Sequence, residues 1–223
     1  GSHPLPDEAS LVAGQRVVDF VTALDADAQM LFLVSGGASS LVDWLIPEAT
    51  LADLQALNRW ALQSGAAIVQ VNALRRRISR LKGGGLARIA MGRRTHALMI
   101  SDVPGDDPRI IGSGLLHAFP HEPAGAPGMA ALSPELRDFL DRLHSSPRNH
   151  ADVPAVPVRI VASAGAACRA AAAAARAQGL QVRLVRTRID GDAAKLGVRF
   201  VASLARQSAG IVQVRGGEST VSL

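Results

Sequence analysis

The apolar positions of this chain follow two periods, and the breaks between them mark the elements. From Glu8 to Leu24, the residues Leu11, Val12, Val18 and Val21 recur near helical spacing behind a Pro6-Asp7 start, which predicts a helix. Met30 to Val34 is an unbroken apolar run, the pattern of a buried parallel strand, and it breaks at Ser35-Gly36-Gly37-Ala38-Ser39-Ser40. Helical patterns follow at Leu51 to Gln63 and Ala66 to Leu81, then a second buried strand at Ala97 to Ser101. Ser133 to Leu143 reads as a helix with Ser133 as N-cap and Pro134 in its first position. The stretch Ser145 to Pro157, with Pro147, Pro154 and Pro157 and little periodicity, predicts a domain boundary, after a Pro/Gly/Ala loop at Pro120 to Pro127.

Beyond that boundary the order is regular. Strand Val158 to Ala162 leads to helix Ala166 to Gln178, stopped by Gly179. Strand Leu180 to Val185 leads to helix Asp192 to Gln207, stopped by Gly210, and Ile211 to Val214 is a last strand. This βαβαβ order predicts a parallel sheet with right-handed crossovers. The fold class expected is α/β: a Rossmann-like, three-layer parallel-sheet domain over residues 1–150 and a second, smaller α/β domain over 151–223.

Composition narrows the function classes. At 223 residues, 48% of them apolar, the chain has material for a sizeable core and is neither disordered nor fibrous. The Ala-rich stretch from Ala170 to Ala175 is flanked by Arg169 and Arg176, so no membrane span is expected. One cysteine, Cys168, forms no internal disulfide, which suits the cytoplasm. The net charge is only +5, carried by arginines and just two lysines, Lys82 and Lys195, and aromatic residues make up 3%. That leaves too few stacking platforms for nucleic acid, so no nucleic-acid partner is expected. The histidines lack metal-ligand spacing, and no Walker-type Gly-Lys-Ser/Thr loop or Gly-x-Ser-x-Gly elbow is present. The start at Gly1-Ser2-His3 and the stop after Val221-Ser222-Leu223 suggest a piece of a longer protein.

In open parallel sheets ligands bind beyond the carboxyl ends of strands. Three predicted strands end there in small or acidic residues: Ser35-Gly36-Gly37, Asp102 to Asp106, and Arg215-Gly216-Gly217-Glu218. Glycine turns of this kind admit backbone N–H groups to a phosphate or carboxylate; each alone also serves as a plain tight turn. On the helix before Gly83, Val71, Leu74, Ile78 and Leu81 form an apolar stripe at about 100° per residue. Asn72, Arg75, Arg76, Ser79 and Lys82 share the other side. A guanidinium and an ammonium there suit a carboxylate plus a phosphate, the alternative being a solvated basic face.

In this order the segments resemble the type II glycerate kinases, the glycerate 2-kinase family with a C-terminal MOFRL domain. The family's His-Pro-x-Pro-Asp segment is matched by His3 to Asp7, and its Ser-Gly-Gly-x-Ser loop by Ser35 to Ser39. Its Asn-x-x-Arg and Ser-x-x-Lys-Gly-Gly helix is matched by Asn72, Arg75, Ser79, Lys82, Gly83 and Gly84. The Ser-Asp-Val-x-Gly-Asp loop is matched by Ser101 to Asp106, followed by Gly112-Ser113-Gly114, and the late Gly-Gly-Glu-x-Thr-Val strand by Gly216 to Val221. Departures are Arg77 where the family usually has His, Leu115-Leu116 in place of Pro-Thr, and Gly191-Asp192-Ala193 in place of Gly-Glu-Ala. The family's Gly-Lys-Ala segment and its last Gly-rich and Thr-Asp-Gly segments have no counterpart, which implies weak or no turnover by this piece alone.

The resemblance implies transfer of the γ-phosphoryl of ATP to the 2-hydroxyl of D-glycerate, with Mg²⁺. It implies Arg75, Lys82 and Asp102 as catalytic groups. Ser35, Gly36, Gly37, Ser39, Gly83, Gly84, Gly216 and Gly217 would contact the nucleotide, Asn72, Arg75 and Ser79 glycerate, and Asp106 and Glu218 the metal. Lys82→Ala is then expected to slow transfer at least ~100-fold with folding intact. A homodimer is admitted as the assembly. Members often carry the name hydroxypyruvate reductase, for which no dinucleotide fingerprint is found here; a non-catalytic remnant of the kinase fold is the further alternative.

Overall fold

The computed structural model describes all residues except 65, 67, 119–131, 144–152, 154, 186–188, 190 and 220–223. The Pro120 to Pro127 loop, His121, His144, His150, most of the Ser145 to Pro157 stretch and the Thr220-Val221 end of the last motif therefore lie outside the described residues. Two compact units divide between Val161 and Ala162.

In the first unit, α1 (Glu8–Ala23) starts at a capping box, with the Asp7 carboxylate accepting from the Ser10 N–H and the Ser10 hydroxyl accepting from the Asp7 N–H. Strand β1 (Gln29–Val34) runs parallel to β2 (Arg94–Ser101), with Val34 level with Met99. Met30 and Val34 point inward against Val18 and Val21 of α1 and against Ala97 and Met99 of β2. The unbroken run predicts burial on both faces. The structure buries one, and Leu31 and Leu33 stay exposed because among the described residues no layer covers their face.

Short helix α2 (Ala38–Leu41) follows β1, then α3 (Leu51–Ser64), α4 (Ile68–Ile78), α5 (Gly85–Ile89) and α6 (Pro134–Arg142). Ser133 caps α6 as expected, its hydroxyl accepting from the Leu136 N–H at 3.3 Å. Helices α3, α4 and α6 close a second core of Leu54, Leu57, Leu74, Ile78, Phe139 and Leu140. The Val71, Leu74, Ile78 and Leu81 stripe is buried throughout, but Leu81 joins the sheet-side core while Ile78 belongs to the helical one.

Strand β3 (Val158–Ser163) corrects the expected topology. It is third in the β1-β2-β3 sheet rather than first in the sheet of the second unit. Its approach is tied to β2 by the Ala97 N–H donating to the Pro157 carbonyl at 2.9 Å, and Val158 and Ile160 pack on the sheet-side core. The second unit, from Ala162 onward, has helix α7 (Ala164–Ala177), strand β4 (Gln181–Leu184), helix α8 (Ala193–Ala205, capped by Asp192) and strand β5 (Ile211–Val214). β4 and β5 pair in parallel, as the βαβ order requires.

Candidate functional site at the carboxyl ends of β1 and β2

The turn after β1 and the turn after β2 come together, as parallel neighbours must. Ser35 and Gly36 are exposed, and Gly37 takes a left-handed backbone (φ +82°) to start α2. A Cβ on Gly36 would stand 2.6 Å from Oδ2 of the exposed Asp102, so the two turns sit side by side. Past Asp102, Asp106 (φ +54°) and Ser113 (φ +61°) are the two non-glycine residues with left-handed backbone among those described. Such conformations cost of order 1–3 kcal/mol each and persist where surrounding structure enforces them. A Cβ on Gly112 would touch Ala38 Cβ at 3.4 Å, so the 110–114 turn also closes on the glycine loop.

That turn links the loops to α4. The Ser113 hydroxyl donates to Oδ1 of Asn72 at 2.9 Å, and the Ser113 and Gly114 carbonyls accept the N–H groups of Gly83 and Gly84 at 3.2 and 2.7 Å. The amides of Gly83 and Gly84, expected to contact the nucleotide, are both engaged within the chain, and both residues are buried. Asn72 and Ser79, expected on a substrate, are likewise held inside the chain. Asn72 also reaches the Ile110 carbonyl at 3.5 Å. The Ser79 hydroxyl donates to Oδ1 of Asp43 at 2.5 Å and accepts from the Leu81 and Lys82 N–H groups at 3.2 Å each.

The polar side of α4 is therefore not a solvated face. Lys82 has 0% exposure and pairs through Nζ with Oδ2 of Asp43, itself at 0%. Burial pulls the Lys82 ammonium below the ordinary lysine range, against the opposing pull of Asp43. Arg75 is also lowered by burial, with Asp43 again opposing, and its guanidinium donates to Oδ1 of Asn58 on α3 while its Nε finds no partner. Lys82 and Arg75 against Asp43 leave the cluster with a surplus positive charge inside the unit. Asp43 is the buried partner of this cluster that the pattern reading missed. Its only signal is a lone acid within the apolar run Leu41 to Ile46.

The remaining predicted residues fall in the second unit. A Cβ on Gly216 would meet Sγ of Cys168 at 2.5 Å, so this glycine serves a close packing on α7. Gly217 and Glu218 are exposed beyond β5, and the Glu218 N–H donates to the Ile189 carbonyl at 3.1 Å. Among the described residues no three His, Cys, Asp or Glu side chains gather as a metal site, and no helix is long and apolar enough to cross a membrane.

Residues 1–133 match the domain of unknown function DUF4147. A protein of Agrobacterium vitis provisionally named hydroxypyruvate reductase is 38% identical over 100% of this chain and 53% of its own length. The D-glycerate 2-kinase of Thermotoga maritima is 30% identical over 92% of this chain and 49% of its own length, and the glycerate 2-kinase of Pyrococcus horikoshii 30% over 99% and 54%. The crystal structure of Thermotoga maritima glycerate kinase superposes with a TM-score of 0.74 at 26% identity, over 100% of this chain and 56% of that one. The chain spans about half the length of these relatives.

Proposed function

The chain belongs to the DUF4147 family, that of the type II glycerate kinases, and from that membership we propose that it carries part of the phosphoryl-transfer site of a glycerate 2-kinase. ATP would be the donor, D-glycerate the acceptor through its 2-hydroxyl, and 2-phosphoglycerate the product. The single observation that carries this reading is the buried, net-positive Arg75–Lys82–Asp43 cluster at α4, whose Asn72 bonds to the 110–114 turn that packs on the glycine turn at the sheet's carboxyl end.

Phosphoryl transfer asks a protein chiefly for positioning and charge neutralisation. The 2-hydroxyl oxygen would bond to the γ-phosphorus as the bond from that phosphorus to the β–γ bridging oxygen breaks, and the hydroxyl proton would pass to a carboxylate. Asp102, exposed beside Gly36, is the carboxylate in reach of the glycine turn. The turn Ser35 to Ser39 would hold phosphate oxygens, and the surplus charge of the cluster would favour both anions. Asp102 and Asp106 offer the hard oxygen ligands that Mg²⁺ takes alongside phosphate oxygens and water. When bound, Mg²⁺ neutralises phosphate charge. A cytoplasmic protein acting on a small molecule, as a monomer or homodimer, accords with this reading.

A coupled assay tests it: the intact protein is expected to release ADP from ATP with D-glycerate and to leave NAD(P)H unoxidised with hydroxypyruvate. The reverse pattern establishes a reductase. Residues 1–223 alone, about half of a kinase relative, are expected to fall at least tenfold below a typical kinase rate of about 1 to 100 per second. Calorimetry on the same chain separates a weak enzyme from a scaffold, since a scaffold has no need to bind ATP or glycerate. In the intact protein, Asp102→Asn is expected to lower turnover by about 10² or more with the melting temperature unchanged. Wild-type turnover in that variant removes Asp102 from the chemistry.

A further inference from the structure

Asp43 lies outside every motif that the sequence offers, yet it is bound from α1 and from the end of α4. Its N–H donates to the Ser10 carbonyl of α1 at 3.1 Å. A Cβ on Gly14, one turn further along α1, would stand 1.8 Å from the Asp43 carbonyl oxygen, so the helix backbone itself is the seat of this residue. On its other side the chain runs antiparallel to the end of α4, with Leu45 bridged to Ser79 and the Arg80 N–H donating to the Trp44 carbonyl at 2.6 Å. The carboxylate is then filled from both oxygens. Oδ1 accepts from the Ser79 hydroxyl and from the Trp44 N–H at 2.9 Å, and Oδ2 takes the Lys82 ammonium.

We propose that Asp43 is the positioning residue of this site: seated on α1 through Ser10 and Gly14, it holds the Lys82 ammonium and fixes the turn of residues 79–84, whose Gly83 and Gly84 N–H groups meet the 113–114 carbonyls. The charged groups that bear on Lys82 are Asp43, from the segment after α2, and Arg75, from α4. Arg76 lies against the neighbouring Gly83. Arg75 disfavours a further cation, and Asp43 is the group that opposes it. The link to anion binding rests on the kinase-site reading above; the control of Lys82 does not.

Two lysines in the whole chain make the test direct. With ¹³C-lysine, the protein shows one Cε signal for Lys82 and one for Lys195, which serves as the internal reference. In Asp43→Asn the Lys82 signal is expected to titrate about one to three pH units lower than in the wild type, and Asp43→Glu to recover most of that shift. Coincident Lys82 titrations in wild type and Asp43→Asn overturn the proposal. If Asp43→Asn does not fold, the double variant Asp43→Asn/Lys82→Met is expected to fold, because the pair is removed together. A double variant that fails as the single one does also overturns it. Calorimetry with D-glycerate then addresses the site reading separately: a shifted Lys82 with unchanged glycerate affinity keeps Asp43 as the holder of Lys82 and removes the anion role.

Discussion

Replacing Lys82 by alanine is expected to lower the stability of the first unit by about 3–5 kcal/mol, besides slowing phosphoryl transfer. The sequence alone leads to an expected ~100-fold loss of transfer with folding intact; the burial of the pair adds an expected stability cost. Lys82 is at 0% exposure and faces Asp43, also at 0%, so truncation leaves a buried carboxylate without its counter-ion. Breaking such a pair by removing one partner costs about 3–5 kcal/mol, whereas exposed pairs cost little. The three lost methylenes add a cavity beside Leu81, which is itself fully buried. For a unit of this size that amounts to a fall of roughly 10 °C in melting temperature. Calorimetric or urea unfolding of Lys82→Ala beside wild type is the measurement; a melting point within about 2 °C of wild type places the ammonium in water and overturns the buried pair.

The same residue shows how far sequence reading reaches. Helical periodicity places Asn72, Arg75 and Arg76 on α4, because 3.6 residues per turn is a property of the backbone alone, whereas Ser79 and Lys82 lie beyond the helix end. It says nothing of what packs on that face, and here the 110–114 turn and Asp43 do, over separations of 38, 41 and 39 residues for the Asn72–Ile110, Asn72–Ser113 and Lys82–Asp43 contacts. Local chemistry was legible: Ser133 before Pro134, Gly179 after α7 and the glycine breaks after β1 are where the chain says they are. α4 ends at Ile78 instead of Leu81 because Ser79 leaves the helix to bridge Leu45, a non-local contact that no window contains. For the same reason β3 joins β2: strand character is local, but the choice of neighbour is not. Asp43 was hidden because an isolated acid has no period, and only its burial among apolar neighbours gives it meaning.

Gly14→Ala is the second large effect, and its sign is the informative part. Gly14 lies in the middle of α1, where an exposed glycine replaced by alanine gains roughly 0.5–1 kcal/mol of helix stability. No left-handed backbone is involved, so the helix itself would accept alanine. Yet the methyl carbon would lie 1.8 Å from the Asp43 carbonyl oxygen and 2.4 Å from its carbon, contacts with backbone that no rotamer change relieves. Either α1 or the Asp43 segment must move by more than an ångström, against the Ser10–Asp43 hydrogen bond at 3.1 Å. Overpacking of this kind costs about 1–3 kcal/mol and occasionally more, which outweighs the propensity gain. The variant is therefore expected to melt several degrees below wild type, with Lys82 titrating lower as its carboxylate is displaced. An alanine that raises the melting point would mean that α1 does not rest on Asp43, and the seat of the carboxylate would have to lie with Ser79 and the Trp44 N–H alone.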